Sequence, residues 1–442
     1  MVADLTLDNW TPVDITGAGT MNMAAFNGGG HTVTIRSFDI SAATRLGLFG
    51  TATNAKIHDL NLDLDVNQSI PASTTQYSVG GIAGYASAAA IGLVRVSGTL
   101  NITVNSSNNL FLGGIVGDLT SPNSLVDSSS SSLAITGENT GGGVASVGGI
   151  AGAVFNGAAV TNSGNTGFVI SSHRAGGIAG IAQGQAANPV LITDCYNKGT
   201  INGDDYAGGL AASGQGVLIK LSFSSAVVQG GSFAGGIIGR LTDTTGSGPS
   251  SIGYCYSAGE IRSNGNSFGA AGGITSEFNS THTGSAITII LENLYSSASV
   301  FVTGTAPAGG LFGMIDMSSS TTVNVNLIDS YALNPVVEHI GTGATRGRVV
   351  GNTSGTVNLS NLHALSTMKI GHRDSLEDTL SEDNPLVPPP DDSTTQGADF
   401  SLPTSAEIDV AYPSFDSDVW TIDPAYSPYP VFQWQVAAGV RP

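Results

Sequence analysis

The apolar residues of this chain fall into short alternating runs that return at nearly constant intervals. One run reads Asp194-Cys195-Tyr196-Asn197-Lys198-Gly199-Thr200-Ile201. The stretches Leu221 to Val228, Tyr254 to Ile261 and Asn293 to Val300 repeat its texture. Alternation with a period of two marks a strand with one buried face. The segment from Ile57 to Val66 shows it cleanly. Leu60, Leu62 and Leu64 fall on a core side; Asp59, Asn61, Asp63 and Asp65 fall on a solvent side. Nothing between the runs keeps a 3.6-residue apolar period over three turns. Each unit is therefore expected to read strand, turn, strand, turn, with no crossover helix.

A glycine word accompanies each run. Gly80-Gly81-Ile82-Ala83-Gly84 returns as Gly113-Gly114-Ile115-Val116-Gly117, Gly148-Gly149-Ile150-Ala151-Gly152, Gly176-Gly177-Ile178-Ala179-Gly180, Gly235-Gly236-Ile237-Ile238-Gly239 and Gly309-Gly310-Leu311-Phe312-Gly313. Weaker copies begin at Gly208 and Gly272, and degenerate ones stand at Gly47 and Arg348. The full and weaker copies are spaced 33, 35, 28, 32, 27, 37 and 37 residues apart. A period in this range signals a solenoid or propeller. The expected fold is all-β, a β-solenoid of about ten coils with terminal caps. One coil cannot stand alone, so stability must come from shared ladders and a shared core. The word glycines are expected to allow φ > 0 at a corner and close approach between coils.

The recurrent Gly-Gly-Ile/Leu-x-Gly word resembles the GLUG motif of bacterial and archaeal surface proteins, whose Gly-Leu-x-Gly core stands here at Gly47-Leu48-Phe49-Gly50 and Gly310-Leu311-Phe312-Gly313. Phe26 to Ile35 resembles the lead-in such proteins carry, and Asp416 to Trp434 resembles their usual ending. The resemblance spans nearly the whole chain. It implies a right-handed β-helical stalk, an adhesin or a region beside a secreted peptidase, with no catalytic residues to transfer.

Four regions follow. Residues 1–45 are a lead-in and N-terminal cap, with Trp10 and Phe26 over the first open coil. Residues 46–365 are the stack. Residues 366–398 form an acidic, Pro-rich linker around Pro385 and Pro388-Pro389-Pro390. Residues 399–442 form a C-terminal aromatic cap over the last coil, built on Trp420, Phe432 and Trp434. The equivalent positions Tyr196, Phe223, Tyr256, Tyr295 and Tyr331 are expected to stack as an aromatic ladder. It is either packed or exposed as a platform for sugar rings. Ser/Thr/Asn/Gly-rich segments such as Ser69 to Ser78 and Ser276 to Ser285 are expected to be loops on a binding face.

Charge narrows the function. The net charge is −19 on 442 residues, with only 14 Lys and Arg. Residues 371–442 carry 13 Asp and Glu against Arg373 and Arg441, so −11 of the total lies there. Phosphate contacts need basic clusters, so no nucleic-acid partner is expected. No 18-residue apolar run exists, so no membrane insertion is expected. Met1-Val2-Ala3-Asp4 lacks a basic segment and an apolar core and does not read as a signal peptide. With the family resemblance, it reads as a mature or trimmed chain.

Candidate chemistry is thin. Gly265-Asn266-Ser267-Phe268-Gly269 spells a nucleophile elbow, but no helix follows. His372-Arg373-Asp374 spells a kinase word without the rest of a kinase. The glycine words lack the Lys-Ser/Thr and the helix of a phosphate loop. The seven His show no metal spacing. Cys195 and Cys255 occupy equivalent positions two coils apart, with Ser222 between. At ~4.8 Å per coil they are too distant for a disulfide. They are expected to be free and buried. Acids far apart in sequence can meet across coils, as glycoside cleavage requires. No catalytic, metal or cofactor site is assigned, and calcium binding is not legible in the residues.

The expectation is thus a non-catalytic extracellular or cell-surface module, adhesin-like or structural. Its partner would be a surface glycan, a host or neighbour protein, or another copy of itself. The alternatives are a self-assembling fibre or surface-layer subunit and a polysaccharide-processing β-helix.

Overall fold

Each glycine word folds the chain from one parallel sheet into another. In the structure, a computed structural model, Tyr77–Gly80 ends one strand and Ala83–Ser87 forms the next. The chain then turns at Ala88 (φ 49°) and enters the long strand Ala90–Ser106. The structure describes residues 1–373, 381–382 and 394–440, apart from 2, 20–22, 42, 266–268, 285, 321, 342–344 and 406. Most of the Pro-rich linker, and Ser267 of the elbow word, lie outside the described residues.

Among the described residues, three sheets run the length of the molecule. A broad sheet holds 26 strand segments, a second holds ten and a third holds eleven. Together they make a β-solenoid of about ten turns. The expected two strands per unit is corrected to three faces. The second sheet is only two to four residues deep, as in Arg45–Leu46 and Tyr77–Gly80, and its strands merge in sequence with the glycine word.

The register is fixed word on word. Gly80 pairs with Gly113, and the column continues through Gly148, Gly176, Gly208, Gly235, Gly272 and Gly309. The apolar residue of each word points inward. Ile82, Ile115, Ile150, Ile178, Leu210, Ile237, Ile274 and Leu311 are all 0% exposed and form one core row.

The glycines are needed for closeness, not for left-handed backbone. None of the word glycines has a positive φ, which corrects half of the expectation. A Cβ on Gly80 would lie 2.4 Å from Ala83 O and 2.5 Å from Gly117 N; one on Gly114 would lie 2.2 Å from Gly149 O. Main chain meets main chain at this corner, and it has no slack to give.

Left-handed backbone occurs elsewhere, in a column that the alternation does not reveal. Asp59, Leu93, Ser128, Asn162, Asp194, Leu221, Tyr254, Asn293, Asp329 and Asn361 all have φ between 47° and 60°. Register places them one per coil, at a bend in the broad sheet. Asn and Asp fill six of the ten because their short polar side chains tolerate this conformation. The bend turns the following residues so that Cys195, Ser222 and Cys255 point into the core while Tyr196, Phe223 and Tyr256 point out.

Both ends differ from expectation. The lead-in already belongs to the stack: Leu5–Leu7 pairs with Thr32–Ile35, Ala24–Asn27 pairs with the long strand Ala55–Ser73, and Val13–Thr16 joins the third sheet. Trp10 and Phe26 pack partly buried against the core. Ser69–Ser73 and Ser276–Ser280 extend strands rather than forming loops. At the far end Arg348 stands where other words have their second glycine. No regular coil follows, so a side chain fits. Its guanidinium is 3% exposed, donates to Ala364 O at 2.7 Å and pairs with Asp399 at 2.7 Å.

Candidate functional site

The aromatic ladder forms, and the C-terminal segment covers it. Tyr196 stacks on Phe223 (5.8 Å between ring centres, 16°), Phe223 on Tyr256 (4.9 Å, 3°) and Tyr256 on Tyr295 (4.8 Å, 4°). Tyr331 stacks instead on His363 (4.7 Å, 19°). Phe415 of the C-terminal segment lies against both Tyr295 and Tyr331. The segment reaches the last coil, where Ala398–Phe400 pairs with Val357–Leu365, and then doubles back along the flank.

The expected end cap is therefore corrected to a lateral one. Trp420 lies over Tyr256 and Tyr295, Phe432 over Tyr256, and Trp434 6.2 Å from Phe223. Trp420 and Phe432 are 0% exposed. The physical reason is area. An outward row of large rings offers more apolar surface than the end of one thin coil. Burial raises the phenols of Tyr256 and Tyr295 well above their ordinary range. Only Tyr196 at the ladder's start stays half-buried; its ring lies over Gly164, with Lys198 Nζ 5.5 Å from its centre. Beneath the lateral cap the ladder offers no open platform.

An open surface exists on the opposite side of the glycine word. The sharp corner draws the outward rows of the second and third sheets toward each other and leaves a crease along the axis. Register sets its walls. Arg174, Tyr206 and Phe233 align on the second sheet. Tyr85 and Asp118 pair on the third, as do Ser213, Arg240 and Glu277 farther along. Contacts cross the crease throughout: Arg45 Cζ stands 4.0 Å from the Tyr85 ring centre, Phe111 meets Phe155 edge-on at 5.5 Å, and Arg240 Cζ is 5.2 Å from Phe233.

Two parts of the crease are hollow. One, of about 360 Å³, lies at the N-terminal end beside Arg45 and Thr51. The other, of about 260 Å³, lies between Arg174, Tyr206 and Arg240, with Gln183, Gln215 and Thr242 at its edge. Between them sits Asp118, 7% exposed, with an Oδ1 that has no hydrogen-bond partner. Burial pushes its carboxyl up to about 6, against the pull of Arg45. Sequence alternation marks these positions as outward-facing strand residues but does not show that two rows from different sheets converge.

Other clusters are structural ties. Asp243 is fully buried, accepts from Ser247 Oγ at 2.8 Å and lies 3.8 Å from His282 Nδ1. The hydroxyl bonds the acid rather than the imidazole, so this is not a nucleophile–base–acid relay. Cys195 and Cys255 are free and buried. Burial pushes both thiols up to about 12. Among the described residues no three His, Cys, Asp or Glu side chains gather as metal ligands, and no helix is long and apolar enough to cross a membrane.

No family model and no curated protein matches the chain. Among solved structures, the chain is similar to one described as a putative immunoglobulin A1 protease from Bacteroides ovatus. The identity is 18% and the TM-score 0.38, with 96% of this chain and 92% of that chain covered.

Proposed function

We propose that the chain is a non-catalytic, extracellular or cell-surface β-solenoid of adhesin type, and that it binds a glycan along the crease. The observation that carries this reading is the make-up of the crease. Tyr85, Phe155, Tyr206 and Phe233 stand partly exposed on four different coils, interleaved with hydrogen-bonding side chains such as Gln183 and Ser213. Aromatic faces with a few convergent polar groups suit sugar rings. The GLUG resemblance supports the same reading. The expected binding loops are strand in part, as at Ser69–Ser73 and Ser276–Ser280, and the crease is the surface favoured here. The test is a polysaccharide pull-down with purified chain, followed by an assay for new reducing ends. Binding without cleavage is the expected result. Retention of no polysaccharide would redirect the reading to a protein partner or a second copy of the chain.

Asp118 favours a second reading, a polysaccharide-processing enzyme. A carboxyl that keeps its proton to about pH 6 in a groove has the property of a general acid. Reducing ends that appear with the native chain and vanish with Asp118→Asn would establish it.

A further inference from the structure

Two guanidinium groups crowd one tyrosine ring in the middle of the crease. Arg174 Cζ stands 5.4 Å and Arg240 Cζ 5.9 Å from the ring centre of Tyr206. Arg240 donates from Nη1 to the Tyr206 hydroxyl at 3.3 Å and from Nε to Glu277 Oε2 at 2.5 Å. Glu277 is 5% exposed, whereas Arg240 stays partly open to water. Arg174 makes no ion pair among the described residues. Asp205 is exposed and attracts Arg174 through space. Two cations therefore line one pocket of about 260 Å³, and none of the residues that line it is an acid.

Burial weakens the hold of Arg174 on its proton; Tyr206 and Asp205 oppose that effect, and the like charge of Arg240 adds to it. The chain as a whole is acidic, with 33 Asp and Glu against 14 Lys and Arg. Arg174 presents a planar fork of donors whose geometry matches a carboxylate or sulfate. The neighbouring Ser213, Gln183 and Gln215 supply neutral donors and acceptors at the rim.

We infer that this pocket binds the anionic group of an acidic polysaccharide, with Arg174 as its direct counter-ion. The inference rests on the proposed glycan-binding reading and adds the charge class of the ligand. Arg240 is held by Glu277 and serves as the second, partly neutralised cation.

The experiment compares retention of the full chain on four probes: polygalacturonate, hyaluronan, dextran sulfate and neutral dextran. Titrations at two salt concentrations follow. The acidic probes are expected to bind, more weakly at higher salt. Arg174→Ala should weaken that binding about tenfold, the loss of one charge-assisted pair. Arg174→Lys should restore part of it. Glu277→Gln releases Arg240 and should tighten binding severalfold, a change in the direction opposite to damage. Thermal unfolding of each variant separates a folding defect from a binding one. Binding of dextran sulfate alone, or of the carboxylated probes alone, supports the inference and names the anion. Equal binding of neutral dextran, unmoved by Arg174→Ala, overturns it while the glycan reading stands. Retention of no probe overturns both.

Discussion

Tyr256 and Gln435 stand 179 residues apart in the chain and are joined by a buried hydrogen bond, Gln435 Nε2 to the phenol oxygen at 2.7 Å. The same amide accepts the Phe432 N–H at 2.9 Å through Oε1. One side chain thus anchors the lateral cap to the ladder and also orders the cap's own last turn, Gln433–Ala438. Replacing Gln435 by Ala leaves a buried phenol and a buried N–H without partners, each worth about 1–3 kcal/mol. The expected outcome is earlier release of the C-terminal segment. Hydrogen exchange should show faster amides over residues 408–440 and little change near Ile115. Uniform loss of protection along the whole solenoid would show that cap and stack unfold as one unit.

The glycine word makes a sharper prediction about packing. Gly114→Ala places a Cβ 2.2 Å from the Gly149 carbonyl oxygen, whereas at Gly92 the nearest atom to such a Cβ is 3.4 Å away. Both glycines have ordinary negative φ. Gly114→Ala is expected to cost about 3 kcal/mol or more, in the class of overpacked cores, and Gly92→Ala less than about 1. Denaturant midpoints for the two variants decide it. If Gly114→Ala folds with unchanged stability, the close-contact account of the word is wrong.

Asp118 predicts a pH dependence of definite sign. Its ordinary value of 3.8 rises to about 6 on folding. Between those values the folded chain holds a proton that the unfolded chain releases, so this group's contribution to stability falls as pH rises through that window. Above it the buried, ionised carboxylate costs roughly 3 kcal/mol. Asp118→Asn should therefore be the more stable protein at pH 7, and the difference from the native chain should shrink as pH drops toward 4. A gap that stays constant between pH 4 and pH 7 would contradict the assigned burial.

The two cysteines should be inert. Both are fully buried, with thiols raised to about 12 by burial, and Cys195 Sγ lies 3.2 Å from Thr193 O. Nucleophilic attack needs the thiolate and access, and neither is present. A thiol reagent is expected to titrate no group in the native chain and two after denaturation, without reductant. Any disulfide found in the unreduced chain would refute the stacking geometry that separates them.

The sequence by itself determined the repeat, the all-β solenoid and the inward apolar row, because a period of two and a recurring glycine word are local properties. The equivalence of Tyr196, Phe223, Tyr256, Tyr295 and Tyr331 was legible for the same reason: identical offsets in stacked coils become vertical neighbours. Three things were decided only by tertiary structure. The lateral position of Trp420, Phe432 and Trp434 depends on where the chain turns back after Phe400, which no local pattern encodes. The left-handed column from Asp59 to Asn361 is masked because Leu93, Leu221 and Tyr254 stand in it, and stacking imposes there a conformation that local propensity disfavours. The crease of Arg174, Tyr206, Arg240 and Glu277 joins rows from two sheets whose angle is set by main-chain contact at the glycines. Alternation shows which side of a strand a residue faces. Only the angle between strands shows what it faces.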